Sequence, residues 1–202
     1  MLWRALCQNF FNRYIEPTDT VLDLAAGYCE FINNVRCGQK IAVDLNPDTK
    51  RFATDARVVL TASDDLGAIE SGTVDVVFTS NFFEHLPDKQ ALLRTLAECR
   101  RVLRPGGRLL VLMPNLRYLG GRYWDYFDHH LPLTHLSLQE GLNLAGFDCD
   151  KVIPRFLPYT VKNSRVPISS TLVRTYLRAP VVWRFFGRQM FVAAHSTDTV
   201  KD

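Results

Sequence analysis

Hydrophobic and polar positions follow two different periods along this chain, one typical of helices and the other of buried strands. Near the amino terminus, apolar residues recur at helical spacing from Trp3 to Tyr14, and Pro17 follows, which predicts an N-terminal helix within residues 1–17. Short continuous apolar runs predict buried strands, and these runs lie at 21–24, 41–44, 58–60, 74–78 and 109–113. Strands of this kind separated by helical segments predict a parallel sheet covered on both faces.

The most regular helical stripe lies between the last two of these runs. Leu92, Leu96 and Cys99 share one face of a helix that begins after Asp88, and a proline followed by two glycines at 105–107 ends it. A buried strand follows directly, as expected for a crossover between parallel strands.

Beyond this strand, two segments without clear periodicity interrupt the pattern. The first is an insertion at 114–136, after which a short helix is predicted at 137–145 and a strand at 151–156. The second insertion covers 157–187, and the apolar run at 190–194 predicts the last strand of the sheet. We therefore expect an α/β fold with a doubly wound, mostly parallel sheet and two inserted loops.

The composition is that of an ordinary folded protein, with 47% hydrophobic and 22% charged residues among 202. This length suits a single domain, residues 1–202. The formal net charge of +3 gives no reason to expect a nucleic-acid partner. The five cysteines are too scattered for a C-x-x-C motif, so reduced thiols and a cytoplasmic location are expected. No apolar run approaches the roughly 20 residues that a membrane span requires.

Two acids and a glycine stand where a parallel sheet would bind a nucleoside. Asp23 and Gly27 lie at the end of the first predicted strand, and Asp44 ends the second. Ligands of open α/β sheets bind beyond the carboxyl ends of the strands, where an acid such as Asp44 can accept hydrogen bonds from both ribose hydroxyls. A dinucleotide would need G-x-G-x-x-G in this loop, which has only one of those glycines, so a nicotinamide-dependent dehydrogenase is disfavoured. The acid at Asp23 instead suits a cationic ligand, and S-adenosylmethionine carries a sulfonium and an ammonium but no phosphate.

From residue 18 to 148 the sequence resembles the class I S-adenosylmethionine-dependent methyltransferases. The segments that carry the resemblance keep the order and spacing of that family, and they are Asp23-Leu24-Ala25-Ala26-Gly27, Asp44, Val74-Asp75-Val76-Val77, Asn81-Phe82-Phe83-Glu84-His85-Leu86 and Arg101-Val102-Leu103-Arg104-Pro105-Gly106-Gly107. The resemblance implies a Rossmann-like methyltransferase fold, S-adenosylmethionine as the cofactor and methyl transfer as the activity.

The same resemblance implies which residues hold each part of the cofactor. Carried over to this sequence, they are Asp23, Ala25 and Gly27 for the methionine part, Asp44 with the adjacent Leu45 for ribose, Ser63 and Asp64 for adenine, and Ser80 and Asn81 beside the methyl donor.

Two features depart from the family pattern. Ala25 and Cys29 stand where the family usually has glycine, and both are expected to narrow the space near the cofactor. The place of the family's adenine-contacting acid is taken by Ala62-Ser63, so either Asp64 substitutes for it or the backbone alone holds the adenine. A non-catalytic module that binds the cofactor or a protein partner therefore remains as the alternative to an enzyme.

Segment 123–135 is the candidate for acceptor contact, because it follows the fifth strand and combines aromatic side chains with titratable groups. His130 or His135 could take a proton from an acceptor hydroxyl near neutral pH. Alternatively, His135 supports the start of the next helix while the aromatic residues shield the core. Glu84 and His85 are interpreted as helix-start and packing residues.

The acceptor class is indicated by resemblance only. The Pro114-Asn115 turn and the loop 132–135 resemble those of family members with a small-molecule or glycan-related acceptor. Methyl transfer by direct displacement needs donor and acceptor held at reacting distance, so no metal is expected.

Residues 170–187 predict a pair of cationic amphipathic helices. Arg174 and Arg178 lie four positions apart outside an apolar face, and Pro180 can open the second helix at its first turn. Large apolar groups beside Arg184 suit an interface or anionic lipid headgroups, so a lid over the acceptor site and a peripheral membrane contact are both expected roles. The alternative is a packed connector whose arginines are merely solvated.

Overall fold

The computed structural model describes residues 1–159 and 169–197, and these form an α/β fold around one sheet. The described part of the chain contributes seven strands, in the spatial order β3-β2-β1-β4-β5-β7-β6. Their bounds are β1 Thr20–Leu24, β2 Gln39–Asp44, β3 Arg57–Leu60, β4 Val74–Ser80, β5 Leu103–Pro114, β6 Phe147–Ile153 and β7 Gln189–Ser196. Strands β1 to β5 pair in parallel, whereas β7 runs antiparallel between β5 and β6. The predicted doubly wound, mostly parallel sheet is confirmed.

The helices of the described residues differ greatly in length. They are α1 Leu2–Asn9, α2 Thr49–Phe52, α3 Lys89–Val102, α4 Leu116–Leu119, α5 His135–Leu144, α6 Ser170–Arg178 and α7 Pro180–Phe186, with 3-10 turns at Phe11–Arg13, Phe83–His85 and Gly120–Asp125. Helix α3 begins as predicted after Asp88, whose carboxylate accepts a hydrogen bond from the Ala91 backbone nitrogen at 2.8 Å. None of the described helices is both long and apolar enough to cross a membrane.

The core lies in two layers, one on each face of the sheet. Along β5, Leu109, Val111 and Met113 belong to the layer that α3 and α5 cover, and Leu110 and Leu112 belong to the layer that α1 and α6 cover. This alternation follows from the strand period of two, and it explains why the strand reads as a continuous apolar run.

Several sequence-based boundaries are wrong. Strand β6 begins at Phe147 and ends at Ile153, instead of covering 151–156, because it is an edge strand whose solvent-facing acids obscure the apolar pattern. The connection between β1 and β2 is a series of turns with no helix among its described residues, and α2 has only four residues. The insertion at 114–136, expected to be irregular, contains α4 and a 3-10 turn.

The second insertion is only partly described. Residues 160–168 of the predicted insertion 157–187 lie outside the described residues. The predicted helix pair is present as α6 and α7, and Pro180 is the first residue of α7, as predicted.

Candidate functional site: a cleft beyond the carboxyl ends of the strands

A cavity of about 450 Å³ lies at the carboxyl ends of the central strands. It opens beside the point where strand order reverses between β1 and β4, which is where open α/β sheets bind ligands. Predicted cofactor residues from three different strand ends line it together, and they are Ala25, Asp44, Leu45, Ser63 and Asp64. The fold therefore brings residues distant in sequence to one ligand-sized space.

The loop after β1 keeps a left-handed backbone at three alternate positions. The φ angles are 58° at Ala25, 50° at Gly27 and 57° at Cys29. A non-glycine residue in this region has its Cβ close to the neighbouring carbonyl, at a cost of about 1–2 kcal/mol per residue. Two of the three positions thus hold a glycine-type conformation with side chains that disfavour it.

The two substituted positions affect the cleft differently. Ala25 lines the cavity, as expected. Cys29 is fully buried with its Sγ 3.7 Å from the Thr49 backbone oxygen, so it points into the core and away from the cleft. The expectation that Cys29 narrows the space near the cofactor is therefore wrong.

The Asp44 carboxylate joins the loops that follow β1 and β2. Its Oδ2 accepts a hydrogen bond from the Gly27 backbone nitrogen at 2.7 Å, and its Oδ1 accepts one from the Asn46 backbone nitrogen at 2.8 Å. Each carboxylate oxygen can accept more than one hydrogen bond, so both oxygens retain capacity for a ribose hydroxyl. The half-buried carboxylate is fixed in place at the wall of the cleft.

Asp23 lies beneath the same loop and is almost completely buried. Its Oδ2 accepts a hydrogen bond from the Ile32 backbone nitrogen at 3.3 Å. Burial raises the pKa of the Asp23 carboxyl to about 8. A cationic ligand above the loop would favour the ionised carboxylate and lower this pKa.

The adenine side of the cleft is polar. The Ser63 hydroxyl lies 2.8 Å from the Thr95 hydroxyl, within hydrogen-bond distance. Asp64 forms an ion pair with Arg94, whose Nε lies 3.0 Å from Asp64 Oδ2. Arg94 also lines the cavity, although no motif or periodicity in the sequence selects it.

Ser80 is the last residue of β4 and Asn81 follows it, but neither is among the described residues that line this cavity. The Ser80 hydroxyl accepts a hydrogen bond from Asn81 Nδ2 at 3.0 Å. Asn81 Oδ1 accepts another from Gln189 Nε2 at 3.0 Å, and Asn81 has a φ of 49°. In this structure, Asn81 connects the ends of β4 and β7.

The two histidines selected as bases have different surroundings. His130 is exposed, and its backbone nitrogen donates to the Glu84 backbone oxygen at 2.8 Å. His135 is buried as the first residue of α5, and its Nδ1 lies 3.1 Å from Asn115 Nδ2. Burial, followed by the charge of Arg117, lowers the pKa of His135.

Glu84 and His85 lie in the 3-10 turn Phe83–His85 that follows β4, and their surroundings differ. His85 lines the cavity, whereas Glu84 is 1% exposed and its Oε2 has no hydrogen-bond partner among the described residues. Burial raises the pKa of the Glu84 carboxyl to about 8. Their positions depend on how the turn after β4 packs against the insertion, which no periodicity reveals.

Comparison with known proteins identifies similar sequences. A family model described as a methyltransferase domain matches residues 22–111. The ubiquinone biosynthesis O-methyltransferase of Xanthomonas oryzae pv. oryzae (strain PXO99A) is 34% identical over 83 residues, which cover 36% of this chain and 33% of that protein. The match thus spans about a third of the relative's length.

Solved structures share the fold over almost the whole chain. An S-adenosylmethionine-dependent methyltransferase from Archaeoglobus fulgidus has a TM-score of 0.69 at 21% identity, and the match covers 96% of this chain and 93% of that one. A geranyl diphosphate methyltransferase in complex with S-adenosylmethionine has a TM-score of 0.68 at 17% identity, covering 96% and 85%. At these identities the likeness concerns the fold.

Proposed function

Because the chain belongs to the class I S-adenosylmethionine-dependent methyltransferases, we propose that it transfers a methyl group to an oxygen atom of a small-molecule or glycan-related acceptor. S-adenosylmethionine is the cofactor of this family, in agreement with the sequence-based prediction. One observation carries the proposal: the cleft gathers five predicted cofactor residues around a cavity of about 450 Å³ at the switch point of the sheet.

The donor set of the cleft fits this cofactor. Asp44 offers carboxylate oxygens for ribose, and Asp23 provides a buried acid beneath the loop that would hold the methionine part. Gly27 does not line the cavity, but its backbone nitrogen donates to the Asp44 carboxylate at the cleft wall, and a Cβ built on Gly27 meets nothing within 4 Å. The methyl group of Ala25 reduces the room above β1 but leaves the cavity open.

When bound, S-adenosylmethionine supplies a methyl group on a sulfonium, which is already a good leaving group. The chain's own residues then have to bind and orient the cofactor and the acceptor, and to exclude water from them. Asp44 and the loop after β1 bind and orient the cofactor. We assign the removal of the acceptor proton to His130, since this residue is exposed and its backbone nitrogen is hydrogen-bonded to Glu84, the neighbour of the cavity-lining His85.

The insertion supplies the proposed acceptor side. Tyr123 is buried, whereas Trp124 and Phe127 are exposed, so the segment combines a buried aromatic ring with accessible aromatic side chains. Such surfaces suit a small organic acceptor. The name of the Xanthomonas relative supports oxygen as the methylated atom. His135 is assigned a positioning role through its contact with Asn115.

Calorimetry with S-adenosylhomocysteine, and with NAD as the counter-ligand, tests the cofactor part of the proposal. We expect binding of the former only. Asp44→Ala removes a charged acceptor and should weaken binding by roughly 1.5–3 kcal/mol, or about 10- to 150-fold. Asp55→Ala, which removes an exposed acid outside the cleft, is the matched control and should leave affinity unchanged.

Release of S-adenosylhomocysteine in the presence of phenolic and sugar hydroxyl compounds tests transfer itself. Equal affinities for wild type and a folded Asp44→Ala variant would contradict the cofactor assignment. Tight cofactor binding without turnover on any acceptor would favour the non-catalytic module that the alanine at position 25 suggests.

A further inference from the structure

We propose that Glu84, His85 and His129 form a binding site for a divalent transition-metal ion beside the cofactor cleft. Each of the three residues offers one ligand atom, and these atoms all lie within 4.8 Å of one another. A bound ion with tetrahedral ligands at about 2.0–2.2 Å would draw such atoms to roughly 3.4 Å apart. The ligand atoms would therefore approach one another by up to about 1.4 Å when the ion binds.

Both imidazole rings are oriented by a backbone carbonyl. His129 Nδ1 lies 2.9 Å from the Tyr123 backbone oxygen, and His85 Nδ1 lies 3.0 Å from the Asp128 backbone oxygen. A carbonyl oxygen only accepts hydrogen bonds, so each Nδ1 carries the hydrogen and donates it. The lone pair of each neutral ring is therefore on Nε2. Metal-binding histidines are usually held in this way by a carbonyl or carboxylate on their second nitrogen.

Glu84 supplies the carboxylate ligand, which releases its proton when a cation binds. Its side chain is 1% exposed, and its Oε2 is buried without a hydrogen-bond partner among the described residues. The ion pairs of the described chain do not include Glu84. A buried carboxylate without a partner is costly, and a cation would satisfy it.

Packing alone accounts for only part of this arrangement. The His129 ring stacks on Tyr126, with ring centroids 5.1 Å apart, which explains why a histidine is accommodated there. It leaves the Glu84 oxygen without a partner. The Asp128 carboxylate, 3.3 Å from His85 Nδ1, adds a second acid beside the cluster.

The ligand types indicate which ion would bind. Two imidazoles and one carboxylate suit Zn²⁺, Co²⁺, Mn²⁺ or Fe²⁺ better than Ca²⁺ or Mg²⁺, which prefer oxygen ligands throughout. Three protein ligands leave positions open, as in catalytic rather than structural metal sites. Because His85 also lines the cofactor cavity, an oxygen donor of the acceptor could occupy such a position. This use of the ion depends on the proposed function, whereas the site itself does not.

The test measures metal binding directly on the full, untagged chain. After removal of bound metal with a chelator, the protein is dialysed against Mn²⁺ or Zn²⁺, and metal per chain is determined by mass spectrometry. Mn²⁺ is included because thiolates, of which the chain has five sources, bind it poorly. We expect one ion per chain and a higher melting temperature with the ion present.

Two conservative variants and one control sharpen the result. Glu84→Gln keeps the shape of the side chain, and His129→Asn keeps a donor for the Tyr123 oxygen, but each removes one ligand. Both should weaken metal binding by at least about tenfold. His195→Asn is the control, because His195 lies on β7 outside the cluster and pairs with Asp150 of β6. This variant should bind the metal ion as tightly as the wild type does.

Binding of S-adenosylhomocysteine is measured in the same samples to separate this proposal from the proposed function. If the wild-type chain binds S-adenosylhomocysteine but no stoichiometric metal ion, the metal site is overturned and the proposed function stands. Equal metal binding by the wild type and all variants would also overturn the metal site. A chain that binds the ion but not the nucleoside supports the metal site and contradicts the proposed function.

Discussion

At the residue scale, the sequence selects the two acids proposed to act on the cofactor, Asp23 and Asp44, but it does not specify their electrostatic state. Asp23 is the penultimate residue of β1 and Asp44 is the last residue of β2. Asp44 is half-buried and accepts hydrogen bonds from two backbone nitrogens, whereas Asp23 is almost completely buried. Burial raises the pKa of Asp23 to about 8. This difference arises from segments packed over the loop, which a strand-end motif does not specify.

The raised pKa of Asp23 determines the sign of a pH effect. An unfolded aspartate titrates near 3.9, so the folded protein holds the proton more tightly than the unfolded chain. The stability contributed by this group is therefore present below about pH 4 and is lost as the pH rises towards 8. The ammonium group of the cofactor favours the ionised Asp23 carboxylate. Cofactor binding between about pH 4 and pH 8 should therefore release a proton from Asp23.

We expect the affinity for S-adenosylhomocysteine to rise between pH 6 and 7.5, by up to about tenfold per pH unit. Asp23→Asn, which keeps an acceptor for the Ile32 nitrogen, should abolish the rise in calorimetric titrations. Asp19→Asn is the control, because Asp19 is also buried but precedes β1 at the opposite end of the strand. Parallel pH profiles for wild type and Asp23→Asn would show that this carboxyl does not sense the ligand.

At the element scale, the central strands could be predicted because burial on both faces makes them continuous apolar runs. The edge strand β6 could not, since its exposed face carries Asp148 and Asp150. The position of Asp44 in the cleft follows from the end of its strand, whereas Ala25 and Asp64 are selected through the family resemblance. Glu84 and His129 come together only because the insertion folds back on the turn after β4, where Glu84 O accepts hydrogen bonds from two insertion residues.

Of the two candidate bases in the insertion 114–136, His130 is exposed and His135 is buried, so their substitution should have different effects. His130→Ala should lower turnover by roughly 10²- to 10⁴-fold while cofactor affinity stays unchanged. Asn115 Nδ2 also donates to the Pro154 backbone oxygen, so His135→Ala leaves one of the two amide hydrogens without its buried partner and should cost about 1–3 kcal/mol in the free energy of unfolding. Turnover with the best acceptor and urea denaturation measure the two effects.

The assignment of the base would be contradicted by the opposite pattern. A His130→Ala variant with wild-type turnover, beside a stably folded His135→Ala variant that has lost it, would move the base to His135. Loss of cofactor binding in His130→Ala would instead indicate a structural role for His130.

At the scale of the whole molecule, the modest net charge of +3 conceals an uneven surface. Helices α6 and α7 cover one layer of the core with Val173, Leu177 and Trp183. Their outward residues combine exposed aromatic groups with cations, and they include Arg174, Arg178, Val181, Arg184, Phe185 and Phe186. The helix pair is thus both a packed connector and an exposed apolar and cationic surface, which the sequence presented as alternatives.

This surface leads to a prediction about membranes. Phe185 and Phe186 are 67% and 63% exposed beside Arg184, a combination that suits anionic headgroups. We expect the full chain to sediment with anionic vesicles at low salt, to bind less at moderate salt, and to ignore neutral vesicles, because exposed charges are screened within about 10 Å at 0.1 M. A Phe185→Ser/Phe186→Ser double variant should lose this binding. Leu144→Ser is the control, since Leu144 is 61% exposed at the end of α5, which covers the opposite face of the sheet. Absence of wild-type binding, or equal binding by the double variant, would leave α6 and α7 without a membrane role.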